Sequence, residues 1–214
     1  MKQGRVFCSI NGQIISFDSN DVLEIKQNKA REKVKKGGFK FDIWQSGMDV
    51  EEIILTARQH DIPLLNYGII SISKRFNPVI YKYAKKTTHF YYRTKILGRH
   101  ATVDLFLTPR SKVLHTLSVS FNGLLAGQTK EMTDRLSGIL SSKYGPVRKI
   151  DRQLFWQIRT WQPNSRISVE LKWVTGSLTV TYKDNRLIEL KESESKRIKH
   201  RRIQKYLTKD KHKF

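Results

Sequence analysis

The stretch ATVDLFLTPRSKVLHTLSVSF, residues 101–121, restricts the fold more than any other part of the chain. Val103, Leu105 and Leu107 alternate with Asp104 and Phe106, and Val113, His115, Leu117, Val119 and Phe121 form a second alternating set. A period of two sends neighbouring side chains to opposite faces of a strand. The TPRSK between the two sets reads as a turn, so the strands pair antiparallel. A sheet that is apolar on one face only must be covered from elsewhere in the chain.

Two helical patterns offer that cover. In SGMDVEEIILTARQHDIP, Val50, Ile53, Ile54 and Ala57 form one stripe, which predicts a helix over roughly 47–60. Ser46 and Asp49 have capping-box spacing, Asp49, Glu51 and Glu52 crowd the first turn, and Pro63 marks the exit. In KEMTDRLSGILSSKYGP, Met132, Leu136, Ile139 and Leu140 recur at helical spacing. Gly138 weakens that helix slightly and leaves room for close packing, Gly145 suits a left-handed cap, and Pro146 stops the helix.

The remaining segments read as short strands. RVFCSI and QIISF flank Asn11–Gly12, a tight-hairpin pair, and VLEI follows. FKFDIW, GIISIS and HFYYRTKI read as strands, with KRFNPVIYKYAKKTT a long basic loop or irregular edge. LFWQIRTW, ISVELKWV and SLTVTY come after the second helix, with Gly176–Ser177 as a turn and RLIEL as one more short strand. The expected fold is α+β, an antiparallel sheet or sheets covered by two helices, with a basic C-terminal tail or helix. Expected organisation is a β-rich element over 1–30, a charged linker over 31–40, an α+β core over 41–190 and a basic tail over 191–214. Element order alone suggests that the core is a divergent helix-then-meander repeat, 41–121 and 128–190.

The segments LSSKYGP, Trp156, ISVEL and LTVTYKD, with WQSGMDVEEI and Ile96-Leu97-Gly98 before them, carry a resemblance. Over roughly residues 41–185 the chain resembles small α+β helix-plus-meander domains of uncharacterised bacterial envelope proteins. That resemblance implies a binding or structural component, of a kind often secreted or lipid-anchored.

Charge narrows the partner. The chain carries 41 Lys and Arg against 19 Asp and Glu, a formal +22. That exceeds what solubility needs and favours an anionic partner. The excess collects in residues 81–120 (8 basic, 1 acidic) and 191–214 (10 basic, 3 acidic). In YKYAKKTTHFYYRTK, Lys82, Lys85, Lys86, Arg93 and Lys95 interleave with Tyr81, Tyr83, Tyr91 and Tyr92. Cations can meet phosphates there while bases stack on the rings; the plainer alternative puts alternate aromatics in the core. The tail adds Lys196, Arg197, Lys199, Arg201, Arg202 and Lys205, with an imperfect stripe of Ile198, Ile203, Tyr206 and Leu207. It can contact a polyanion, dock on its own domain, or be merely solvated.

Enzyme chemistry finds little footing. Gly-rich phosphate loops, H-E-x-x-H and G-x-S-x-G are absent from the sequence. The six histidines show no pairing at two- to four-residue spacing. His60 reads as a helix-end residue, His115 as a sheet or core histidine, and His89 and His100 flank a strand and could meet in space. Cys8 is the single cysteine, so no internal disulfide and no thiolate zinc cluster can form. The expectation is a non-enzymatic protein with no catalytic residues, metal or cofactor. Its partner is a polyanion, nucleic acid first, met by phosphate contacts. The alternative is a structural or protein-interaction module, or one that meets an anionic membrane surface. One basic face joining 82–95 with 196–205 would favour the first, and scattered charge the second. The sequence holds no run of about 20 apolar residues and its start lacks a signal-peptide core, which points to the cytoplasm. An envelope setting would require a missing N-terminal segment.

Overall fold

The computed structural model describes residues 5–10, 13–18, 37–66, 70–72 and 87–210. The chain divides into two compact units, Met1–Gly37 and Gly38–Phe214. In the first, β1 (Arg5–Ile10) pairs antiparallel with β2 (Gln13–Asp18), Ile10 facing Gln13. The expected strand VLEI and most of the charged linker lie outside the described residues.

The second unit begins with a short hairpin, β3 (Lys40–Phe41) and β4 (Trp44–Gln45). It continues through α1 (Val50–Gln59), β5 (Leu64–Asn66), β6 (Ile70–Ile72), β7 (His89–Ile96), β8 (Arg99–Leu107) and β9 (Leu114–Asn122). Then come α2 (Ala126–Tyr144), β10 (Lys149–Gln153), β11 (Trp156–Trp161), β12 (Ile167–Val174), β13 (Ser177–Asp184) and α3 (Asn185–Asp210). Nine strands form one antiparallel sheet in the order β10-β11-β12-β13-β9-β8-β7-β5-β6. The last strands of the two helix-then-meander blocks, β9 and β13, lie side by side at its middle, Val119 facing Val180.

The alternation of apolar residues decides which face is covered. Val103 and Leu105 on β8, Leu117, Val119 and Phe121 on β9, Val169 and Leu171 on β12, and Val180 on β13 are all buried. They share one core with Val50, Ile53, Ile54 and Ala57 of α1 and with Met132, Leu136 and Leu140 of α2. The opposite face carries Ser118, Ser120, Thr179 and Thr181, which bond to one another across β9 and β13.

Several local expectations change. The cap of α1 is Asp49, not Ser46: Asp49 Oδ1 accepts from the Glu52 amide, and Glu52 Oε2 accepts from the Asp49 amide, each at 3.0 Å. Ser46 is drawn away to donate to Asp184, 138 residues on. Ile139 is exposed, because the buried face of α2 runs through Thr129, Met132, Thr133, Leu136, Ser137 and Leu140. Nothing lies within 4 Å of where a Gly138 Cβ would stand, so that glycine serves no close packing. RLIEL is not a strand but the first turns of α3, with Leu187 buried. Val113 lies outside β9, and a bulge sets Thr116 opposite Phe106 but Leu114 opposite Leu107. The extra residue is His115, which is why Leu114 and His115 are both buried. The tight turn after β12 is Thr175–Gly176, since Val174 pairs with Ser177.

Candidate polyanion interface

As far as Asp210, the basic tail is the outer half of a 26-residue helix, Asn185–Asp210. Asp184, at the end of β13, accepts from the Leu187 amide three residues on, as a helix N-cap does. The same carboxylate takes Arg166 Nε at 2.9 Å, Arg166 Nη2 at 2.7 Å and Ser46 Oγ at 2.9 Å. This cluster leaves no space: a Cβ on Gly38 would come 1.8 Å from Ser46 Oγ. Ten residues into α3, buried Glu194 accepts from the backbone amides of Arg110 and Ser111 in the turn between β8 and β9, at 2.7 and 3.1 Å, and from the Ser111 hydroxyl. His115 lies under this arrangement, bonded through Nδ1 to Thr116 Oγ1 at 2.7 Å. Burial, and then Lys191, push it down to about 4, with Asp184 opposing, so it is neutral near pH 7. Lys112, in the same turn, is pushed down by burial while Glu194 holds it up.

Beyond Glu194 the character of α3 changes. Lys196, Arg197, Lys199, Arg201, Arg202 and Lys205 are all exposed, and no acidic residue occurs between Ser195 and Lys209. At 1.5 Å per residue the stretch from 195 to 210 extends roughly 24 Å. The six cations from Lys196 to Lys205 lie all round the circumference rather than along one stripe, at about 100° per residue. Of the imperfect apolar stripe, Ile203 and Tyr206 are exposed, whereas Ile198, nearer the fastened root, is half-buried. Like charges one turn apart, such as Arg197 with Arg201 and Arg201 with Lys205, oppose the helix unless an anion screens them.

The other expected cluster is only partly brought into view. Lys82, Lys85, Lys86, Tyr81 and Tyr83 lie outside the described residues. Arg93 and Lys95 are exposed near the end of β7 and line an open cleft of about 460 Å³ together with Asp42 and Asp61. They sit at the opposite end of β7 from the turn that holds α3, and are not brought together with the α3 cations. Tyr91 is half-buried on the open sheet face, its ring 5.9 Å from that of His89. Tyr92 cannot stack on a base. It is buried, its hydroxyl accepts from Trp44 Nε1 at 2.9 Å, and burial pushes its hydroxyl pKa up. The alternation that looked like a stacking ladder puts this ring in the core.

The histidines find structural partners. His60 caps the end of α1. His89 does not meet His100, which lies opposite Lys95; instead its Nε2 is 2.8 Å from Asp104 Oδ1, and its ring stacks on Phe106 at 4.7 Å. Among the described residues no three His, Cys, Asp or Glu side chains converge to hold a metal ion. No described helix is long and apolar enough to cross a membrane. The sequence reading missed Asp184, Arg166 and Glu194, the groups that fasten α3. A polar residue closing a run of strand alternation, as Asp184 does after Leu178, Val180 and Tyr182, was the available signal. No protein-family model, curated protein or solved structure matches this chain.

Proposed function

We propose that this is a non-enzymatic binding protein that meets nucleic acid through phosphate contacts along the outer half of α3. The observation that carries the reading is the row of six exposed cations, unbroken by an acid, on a helix whose root is fastened to the sheet. A fastened rod of one sign presents its charges without the ordering cost of a free tail, and like-charge strain within it is relieved when phosphates approach. With cations on every side, the helix reads no particular base edge, so binding is tolerant of sequence and strongly dependent on salt. A nucleic-acid partner places the chain in the cytoplasm.

The test is the salt dependence of binding to duplex and single-stranded probes. A helix lying against one duplex brings three or four of the six cations to phosphates, for a log–log slope of about −3 and a loss of affinity of about 40- to 150-fold between 50 and 200 mM salt. Replacing all six with Gln, or removing residues 196–214, should lower affinity and flatten that slope. Unchanged binding of both probes would sink the reading.

A further inference from the structure

The rim of the sheet farthest from the root of α3 holds three apolar features at positions where local backbone chemistry asks for something else. Leu97 is the first residue of the two-residue turn between β7 and β8, with φ +50, followed by Gly98 at φ +75. Such a turn prefers Asn, Asp or Gly, and a leucine in the left-handed region is strained. Leu125 is the N-cap of α2 and supplies no side-chain cap, where Ser, Thr, Asp or Asn would. Leu154 and Phe155 form the whole turn between β10 and β11, since Gln153 pairs with Trp156. Turns of that kind favour small polar residues. Burial does not explain the choices: the four are 36%, 70%, 85% and 67% exposed, respectively.

Register places them on one rim. Ile96 pairs with Arg99, Gln153 with Trp156, Trp156 with Val174, Val174 with Ser177, and Ser177 with Asn122. The Leu124 amide then donates to Gly176 O at 3.2 Å, which brings the approach to Leu125 to the same level. From β7 to β10 is six strand spacings, roughly 29 Å at about 4.8 Å each, so the apolar tips are spread along the rim rather than gathered in a pocket. Cations flank them: Lys95 and Arg99 on either side of Leu97, Arg152 beside Leu154, and Lys172 on the neighbouring strand, all exposed. Trp156 stands at the base of the β10–β11 turn, its Nε1 donating to Gln153 at 2.9 Å. A ring that is apolar in body and polar at its edge suits the level of lipid headgroups.

We propose that this rim docks on a bilayer bearing anionic lipid. Leu154 and Phe155, helped by Leu97 and Leu125, enter the acyl boundary, and the flanking cations meet the headgroups. A bilayer fits better than a folded partner, because single side chains separated along a rim offer no contiguous patch of the size that stable protein interfaces bury, whereas each can enter lipid independently. The rim and the α3 cations lie at opposite ends of the sheet, so the chain can hold phosphate-bearing partners at both ends at once.

The test uses the full chain and the variant L97N/L125S/L154N/F155G, in which every substitution supplies the residue its turn or cap prefers. Sedimentation with phosphatidylcholine vesicles containing about one-third phosphatidylserine, in ~0.1 M salt, measures partitioning. The wild-type chain should bind, and the variant should bind at least about tenfold more weakly while melting no lower than wild type. No vesicle binding by the wild-type chain overturns the proposal. So does equal partitioning of the two proteins, which would leave the attraction to charge alone. A lower melting point for the variant would show that the four side chains hold the fold, and a wild-type dimer that the variant abolishes would assign the rim to a second copy; either result refutes bilayer docking. Replacing the six α3 cations with Gln should leave the variant-to-wild-type ratio unchanged, so failure of this proposal and failure of nucleic-acid binding are read separately.

Discussion

Arg166→Met is the most informative single perturbation of the fold. Asp184 is 0% exposed, and Arg166 supplies two of its charge-assisted hydrogen bonds as well as its cation. With the guanidinium gone, the carboxylate keeps the Ser46 hydroxyl at 2.9 Å and a long contact of 3.4 Å from the Leu187 amide. Breaking one side of a buried ion pair costs about 3–5 kcal/mol. The Arg166 side chain is 16% exposed, so water can reach part of the vacated space, and the lower end, about 3 kcal/mol, is expected. For a unit of this size that is a fall in melting temperature of about 6–12 °C. All four tryptophans, at 44, 156, 161 and 173, lie beyond Gly37, so urea unfolding followed by tryptophan fluorescence reports on this unit alone. The double variant R166M/D184N should recover about 1–2 kcal/mol, because a neutral amide no longer needs the cation. An R166M protein within about 1 kcal/mol of wild type, or a double variant no better than the single, would refute the account of Asp184 as the buried charge that joins α3, the residue before β12 and the loop before α1.

Other perturbations follow from the same contacts. His115 has a depressed folded pKa, so the unfolded chain binds the extra proton between about pH 6.5 and about 4. Its neutral form therefore contributes fully above pH 6.5 and is lost as pH falls towards 4. The urea unfolding free energy of wild type should drop over that interval by about 2 kcal/mol more than that of His115→Gln, and parallel curves would refute this. Tyr92→Phe leaves the buried Trp44 Nε1 without its acceptor and should cost about 1–2 kcal/mol in urea unfolding. Gly38→Ala forces a methyl group into Ser46 and should lower stability by about 1–3 kcal/mol, with Ser46→Ala in the same chain restoring part of it. Asp49→Ala should cost about 1 kcal/mol, whereas Ser46→Asn should not compensate, since Ser46 is not the cap.

Short-range patterning was enough to establish the α+β class, the hairpin at residues 101–121, the apolar face of the first helix, that of the second except for Ile139, and the basic character of the last segment. Periods of 2 and 3.6 are properties of consecutive residues, and burial of one face follows directly from them. Tertiary structure decided what depends on residues far apart in the chain. Ser46 has the local spacing of a cap, yet it bonds Asp184 because the end of β13 arrives beside it. RLIEL can be written as strand or helix; it is helix because Asp184 caps it and Glu194 fastens it to the turn between β8 and β9. Tyr91 and Tyr92 are neighbours in an aromatic, basic run, and only the pleat of β7 against Trp44 makes one a surface ring and the other a core ring. Leu97, Leu125, Leu154 and Phe155 are scattered over nearly sixty positions and form a single rim only through strand register. Local periodicity chooses the elements, but register and long-range pairing choose their neighbours, and the surfaces a partner would meet are made of neighbours.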